Sequence, residues 1–208
     1  MAMRAIWANW HDQQPLEFTG KYYTHTLMTP FFTPTNVEYG APRVFLAAVG
    51  PKMTEVAGEV ADGMIVHAFT TETYLRETTL PALTKGWEKA GKRREDFEIM
   101  YPLFVVTGGT EEAMAASAVA AKRQIAFYGS TPAYKPVLES IGVGDMQGEL
   151  NTMSKQGRWQ EMGELITDDI LESFAVVAEP DQVADQLISR YGDIVERTSA
   201  AYGGIPAE

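Results

Sequence analysis

The chain has 208 residues, with 17 basic and 28 acidic side chains and a net charge of −11, a balance that argues against nonspecific nucleic-acid binding and against an anionic membrane surface. It has no cysteine, which excludes disulfides, thiolate nucleophiles, iron–sulfur clusters and cysteine zinc sites. A hydrophobic fraction of 45% over this length supports one globular domain, 1–208, with a real core; with no signal-peptide pattern and no run near the ~20 apolar residues of a bilayer span, a cytoplasmic location is expected.

In chain order, residues 2–10 read as the tail of a helix carrying Trp7 and Trp10. Residues 11–42 form a long excursion broken by Pro30, Pro34 and Pro42, with a hairpin near 16–23; long connections of this kind are often lids or binding loops. Residues 43–70 carry the clearest pattern. Val44, Phe45, Leu46, Ala47, Ala48 and Val49 are a continuous apolar run, which predicts a strand buried on both faces. Gly50-Pro51 turns the chain into a helix whose apolar face is predicted to be Met53, Val56, Ala57, Val60 and Ala61. Asp62-Gly63 ends it, and Met64, Ile65 and Val66 begin a second strand. This βαβ unit implies a parallel sheet and an α/β fold.

A helix over 71–91 follows, closed by Gly91 with Lys92, Arg93 and Arg94 at its end. A third strand spans 97–107, with Pro102 predicted to mark a bulge. Thr110 caps an alanine-rich helix to about Tyr128. Residues 129–166 read as an irregular insertion: Pro132 and Pro136 break it, 137–141 looks helical, and Trp159, Met162, Leu165 and Ile166 suggest a short amphipathic helix. Helices are then expected over 168–173 and from Pro180-Asp181 to about Arg190, with a last strand over 194–201 and a loose tail.

The run AAVGPKMTEVAGEVADGMIV, with PALTKGWEKAGKR after it, resembles the bacterial luciferase-like superfamily, and within it the oxidoreductases that use the 8-hydroxy-5-deazaflavin coenzyme F-420. Residues 5–7 with 16–23, and residues 127–134, fit the same family in the same order. The resemblance implies a (β/α)8 TIM-type barrel. Such barrels typically need roughly 250 residues, so the expectation is the C-terminal half, about four parallel strands with their helices, the N-terminal half being absent. It also implies a hydride transfer between the deazaflavin and a small organic substrate. FMN-dependent monooxygenation and a non-catalytic half-barrel or truncated fragment stand as alternatives, and a homo-oligomer or a complementing barrel half is the expected partner.

Three places carry candidate chemistry. A helix N-terminus after a glycine turn offers free N–H groups to phosphate, and a bound anion would relieve Lys52, a cation in the first helical turn; the plainer reading is a βα turn with a solvated lysine. The resemblance implies that Ala47, Ala48, Val49, Gly50 and Pro51 line the coenzyme's phosphate-bearing tail. His67 lies at the carboxyl end of a predicted barrel strand, where barrel enzymes place their sites. It suits hydrogen bonding or proton shuttling toward a substrate, or else a bond to a neighbouring loop. Thr70 matches a substrate-contacting position in some relatives. Tyr128, Ser130, Thr131 and Tyr134 offer hydroxyls to a polar substrate, or are loop residues and packed aromatics. No His-x-x-x-His spacing exists, so no metal site is expected, and no Gly-x-Ser-x-Gly elbow supports a serine hydrolase.

Overall fold

A computed structural model of the protein describes residues 1–201, which fall into two compact units divided after Val44. In the first, α1 (Ala2–Asp12) ends at Gln13 in the left-handed conformation. A two-stranded antiparallel hairpin follows, β1 (Phe18–Thr19) and β2 (Thr24–His25), with Phe18 opposite His25. Phe18, Tyr23 and His25 cluster, with ring centroids 5.6–6.4 Å apart. The rest of the unit has little regular structure, and it leaves Phe31 and Tyr39 in water.

The second unit opens with β3 (Phe45–Ala47), α2 (Pro51–Val60) and β4 (Gly63–Ile65), the βαβ unit that the apolar runs and the Gly50-Pro51 turn predict. Next come α3 (Glu72–Tyr74), a π-helical stretch (Leu75–Thr79) and α4 (Leu80–Ala90), which stops at Gly91 in the left-handed region. β5 (Glu98–Val106) leads to α5 (Glu111–Gly129), whose cap is the Thr110 hydroxyl accepting from the Ala113 N–H. The segment read as an irregular insertion is largely helical: α6 (Lys135–Glu139), α7 (Met146–Lys155) and α8 (Trp159–Met162). The chain then forms α9 (Asp168–Phe174), β6 (Ala175–Val177), α10 (Val183–Tyr191) and β7 (Arg197–Ala200).

The five strands β3 to β7 make one parallel sheet, with β5 as its axis. In a strand each residue turns its N–H and C=O to the same side. The Met100 carbonyl accepts from Val66, so even residues of β5 face β4; the Leu103 carbonyl accepts from Ala201, so odd ones face β7. Pro102 therefore points its missing N–H toward β4, past Ile65, the last β4 residue in register. The β4–β5 ladder stops at that rung, and β5 runs on through the proline in register with β7, without the bulge that the sequence suggests.

One face of the sheet is packed. Met64, Val66, Ile99, Tyr101 and Leu103 are buried in a core with Ala57, Leu83 and Trp87. A second core joins Phe69, Phe104 and Phe174 to the helices after β5. The other face, carrying Ile65, Met100 and Pro102, is only half-buried. β3 differs from the sequence reading: Val49 is 45% exposed and Ala47 is exposed, so the run is not buried on both faces. The reason is its place at one end of the strand order, with β4 as its single strand neighbour. α2 differs too. Met53 and Val56 are exposed, and the buried face is Thr54, Ala57, Gly58 and Ala61. No closed barrel forms among the described residues.

Candidate functional site at the strand ends

A cavity of about 620 Å3 opens at the carboxyl ends of the strands. Residues 47–49 line it at the end of β3, residues 65–68 at the end of β4, Pro102 from β5, Tyr128 from α5, and Ala200 and Ala201 at the end of β7. Four strands thus converge on one predominantly apolar hollow, within the size range of small-molecule sites. It lies over the half-buried face of the sheet, which contributes Ile65 and Pro102.

Next to the cavity, Val49 leads through Gly50 into the α2 N-terminus, and Gly50 lines a smaller adjoining recess. Gly50 caps α2 with φ 78°, a conformation that suits glycine, and a Cβ there would meet nothing within 4 Å. Its carbonyl accepts from the Thr54 N–H at 3.1 Å and the Thr54 hydroxyl at 2.9 Å. Pro51 has no N–H, and Lys52 and Met53 present theirs without an intrahelical acceptor. Lys52 is exposed and makes no ion pair among the described residues. These groups fit the phosphate of a ribityl coenzyme: a dipole end, free donors and a nearby cation.

His67 holds the centre. Its Nδ1 accepts the Phe69 backbone N–H at 3.0 Å, and its Nε2 lies 3.2 Å from the Tyr134 hydroxyl. A neutral ring with Nδ1 as acceptor carries its proton on Nε2. Nε2 therefore donates to Tyr134, leaving the tyrosine's own O–H free. Burial lowers the His67 pKa and raises that of Tyr134, so both stay neutral. Tyr134 stacks on the imidazole at 5.0 Å and Tyr128 meets it edge-on at 4.9 Å, which fixes the ring plane. The loop-bonded reading of His67 thus holds for one nitrogen, and the other nitrogen belongs to a tyrosine.

Thr70 is 3% exposed, and its hydroxyl has no hydrogen-bond partner among the described residues. It shares a recess of about 30 Å3, little more than one water, with Gly50, His67 and Tyr134. Its backbone carbonyl is anchored by the Tyr101 hydroxyl at 3.2 Å. Of the predicted hydroxyl cluster, Tyr128 lines the main cavity and Tyr134 the recess. Ser130 and Thr131 line neither. The Ser130 hydroxyl is committed to the Phe127 carbonyl at 2.7 Å, and its own carbonyl accepts from Gln147 and Asn151, tying α5 to α7. Thr131 is exposed where the next helical turn begins. The sequence reading passed over Ile65 and Ala200. Ile65 was findable, because it precedes His67 by two and so shares its face of the strand; nothing local marks Ala200, which arrives through the β5–β7 pairing. Among the described residues no cluster of His, Asp or Glu could hold a metal, and no helix is long and apolar enough to cross a membrane.

Comparison with known proteins gives a family and relatives. The family model described as luciferase-like monooxygenase matches residues 1–197. An uncharacterised protein of Mycobacterium tuberculosis is 48% identical over 196 residues, covering 94% of this chain and 58% of that one. The 5,10-methylenetetrahydromethanopterin reductase of Methanopyrus kandleri is 26% identical over 178 residues, 83% of this chain and 48% of the reductase. The solved structure of the coenzyme F-420-dependent tetrahydromethanopterin reductase from M. kandleri superposes with a TM-score of 0.73 at 20% identity, over 94% of this chain and 54% of that one. The chain thus spans about half the length of the relatives it matches.

Proposed function

The chain belongs to the luciferase-like monooxygenase family, and on that premise we propose that it is the coenzyme-holding half of a barrel oxidoreductase that moves a hydride between coenzyme F-420 and a small organic substrate. The observation that carries this reading is an apolar hollow at the strand ends that shares Val49 and the neutral His67 with an adjoining recess holding Gly50 and Tyr134. The deazaflavin supplies a ring that accepts or donates hydride when bound. In this assignment Ala47, Ala48, Val49, Gly50 and Pro51 receive its phosphate-bearing tail through the N–H groups after Gly50. The alanines, Ile65 and Pro102 keep water from the ring face. The Tyr134 O–H, oriented by His67, donates to a substrate oxygen, and Tyr128 and Thr70 complete the substrate side.

In this reading the five strands are the C-terminal half of the barrel. β3 and β7 each have one strand neighbour among the described residues, and sheets rarely leave such edges open. The missing wall comes from a second copy or from a complementing barrel half. Support for F-420 comes from the M. kandleri reductase, whose description names it; FMN shares the ribityl phosphate, so the Gly50 turn accepts either.

A fluorescence titration of the purified chain with coenzyme F-420, FMN in parallel, tests the assignment. Saturable binding of F-420 at micromolar concentration, weakened at least tenfold by Gly50→Val, is the expected result. Binding of FMN alone moves the chain to the flavin branch, and binding of neither leaves a structural half-barrel.

A further inference from the structure

Away from the strand ends, we propose that the groove between α5 and α8 binds a planar aromatic carboxylate, gripped by the Arg123 guanidinium and the Phe127–Trp159 ring pair. The groove is a cavity of about 420 Å3, and an adjoining one of about 390 Å3 shares Arg123 and Gln160 with it. That volume suits a small molecule. Its floor is Met162, 1% exposed, while Phe127 and Trp159 each leave 49% of their surface in water. The two rings stand 6.0 Å apart and tilted by 49°, an open wedge rather than a closed stack. Two large aromatics side by side in water mark an interaction site more than a solvated face does.

Charge selects the ligand. Arg123 makes no ion pair or hydrogen bond among the described residues, in a chain with 28 acidic side chains. The basic residues beside it are committed: Lys122 pairs with Asp168 at 2.7 Å, and Arg158 with Glu161. Arg123 and Phe127 lie four residues apart on α5, hence on one face. A guanidinium fork matches a carboxylate bidentately, and a ring pair accepts a flat apolar body. The Trp159 indole N–H has no acceptor among the described residues and adds a second donor. Neither group alone selects strongly; together they ask for an anion on an aromatic ring.

The probe is 2-naphthoate, followed through the Trp159 indole signal in 15N–1H spectra of the whole chain and assigned with Trp159→Phe. The expected result is a saturable shift, a dissociation constant raised about tenfold or more by Arg123→Gln, and neutral 2-naphthamide binding at least tenfold more weakly. Arg123→Lys, which keeps the charge and loses the fork, falls between. Both substitutions are at an exposed position, and circular dichroism verifies their fold. Equal binding of the acid and the amide, an unchanged constant in Arg123→Gln, or no saturable shift at millimolar probe overturns the proposal.

Discussion

His67 shows how burial and one backbone hydrogen bond set a side chain's chemistry. Its pKa is lowered by burial, so the folded state resists protonation that the unfolded chain accepts. Stability from this group is complete above the unfolded value near 6.5 and is lost as pH falls below it, until the folded pKa is passed. An NMR titration should give a midpoint below 6.5 with the proton on Nε2 above it, and the drop in Tm between pH 7.5 and 5.5 should shrink in His67→Gln. A midpoint above 6.5 would mean an unseen anion partner. Thr70 offers a second test at this scale. Its buried hydroxyl has no partner among the described residues, so Thr70→Val should leave stability unchanged or raise it by up to about 1 kcal/mol in urea unfolding. A loss larger than that would show that the hydroxyl is hydrogen-bonded in the folded protein. The position of His67 at a strand end was readable from the apolar run before it. Tyr134 stands among the candidate hydroxyls of the sequence, but its pairing with His67 is not readable there, because 67 residues of chain separate them.

Among the elements, α2 and α4 make the closest helix pair. A Cβ on Gly58 would come within 2.6 Å of the Leu83 carbonyl, and one on Gly86 would collide with the backbone of Glu55 and Glu59. Gly86→Ala should therefore destabilise the protein by about 1–3 kcal/mol through overpacking, although alanine is the better helix former; a neutral or stabilising result in urea unfolding would mean that the helices separate easily. The same contact explains the rotated face of α2. The sequence shows an apolar stripe of Met53 and Val56, but the sheet and α4 select the small residues Thr54, Ala57 and Gly58, which permit backbone approach. Pro102 teaches a related lesson. A proline reads as a strand defect until the side to which its nitrogen faces is known, and the register puts that side beyond the end of β4.

For the whole molecule, the proposed half-barrel follows from a parallel sheet in which β3 and β7 each have one strand neighbour among the described residues. The purified chain should self-associate or bind a complementing barrel half, giving a light-scattering mass that rises above the monomer's with concentration. A monomer at all concentrations, with no change when Ala47→Lys alters β3, would mean that its edges are tolerated as they stand. The order of elements was legible in the chain, because buried strands, capped helices and glycine turns leave local signals: the βαβ unit, Thr110 at the α5 N-terminus and Gly91 after α4 all fall where the residues predict. The helices of residues 129–166 were only partly legible, since short helices stabilised by a shared core carry weak periodicity of their own. Taken by itself, the sequence determined the α/β class, the parallel crossover, the absence of thiol chemistry and the family pattern, all properties of composition or of neighbouring residues. Only the tertiary structure decided which strand stands at the sheet's edge, which face of α2 is buried and which of four clustered hydroxyls reaches His67. Those depend on contacts between residues far apart in the chain, where local preference carries no information and packing decides.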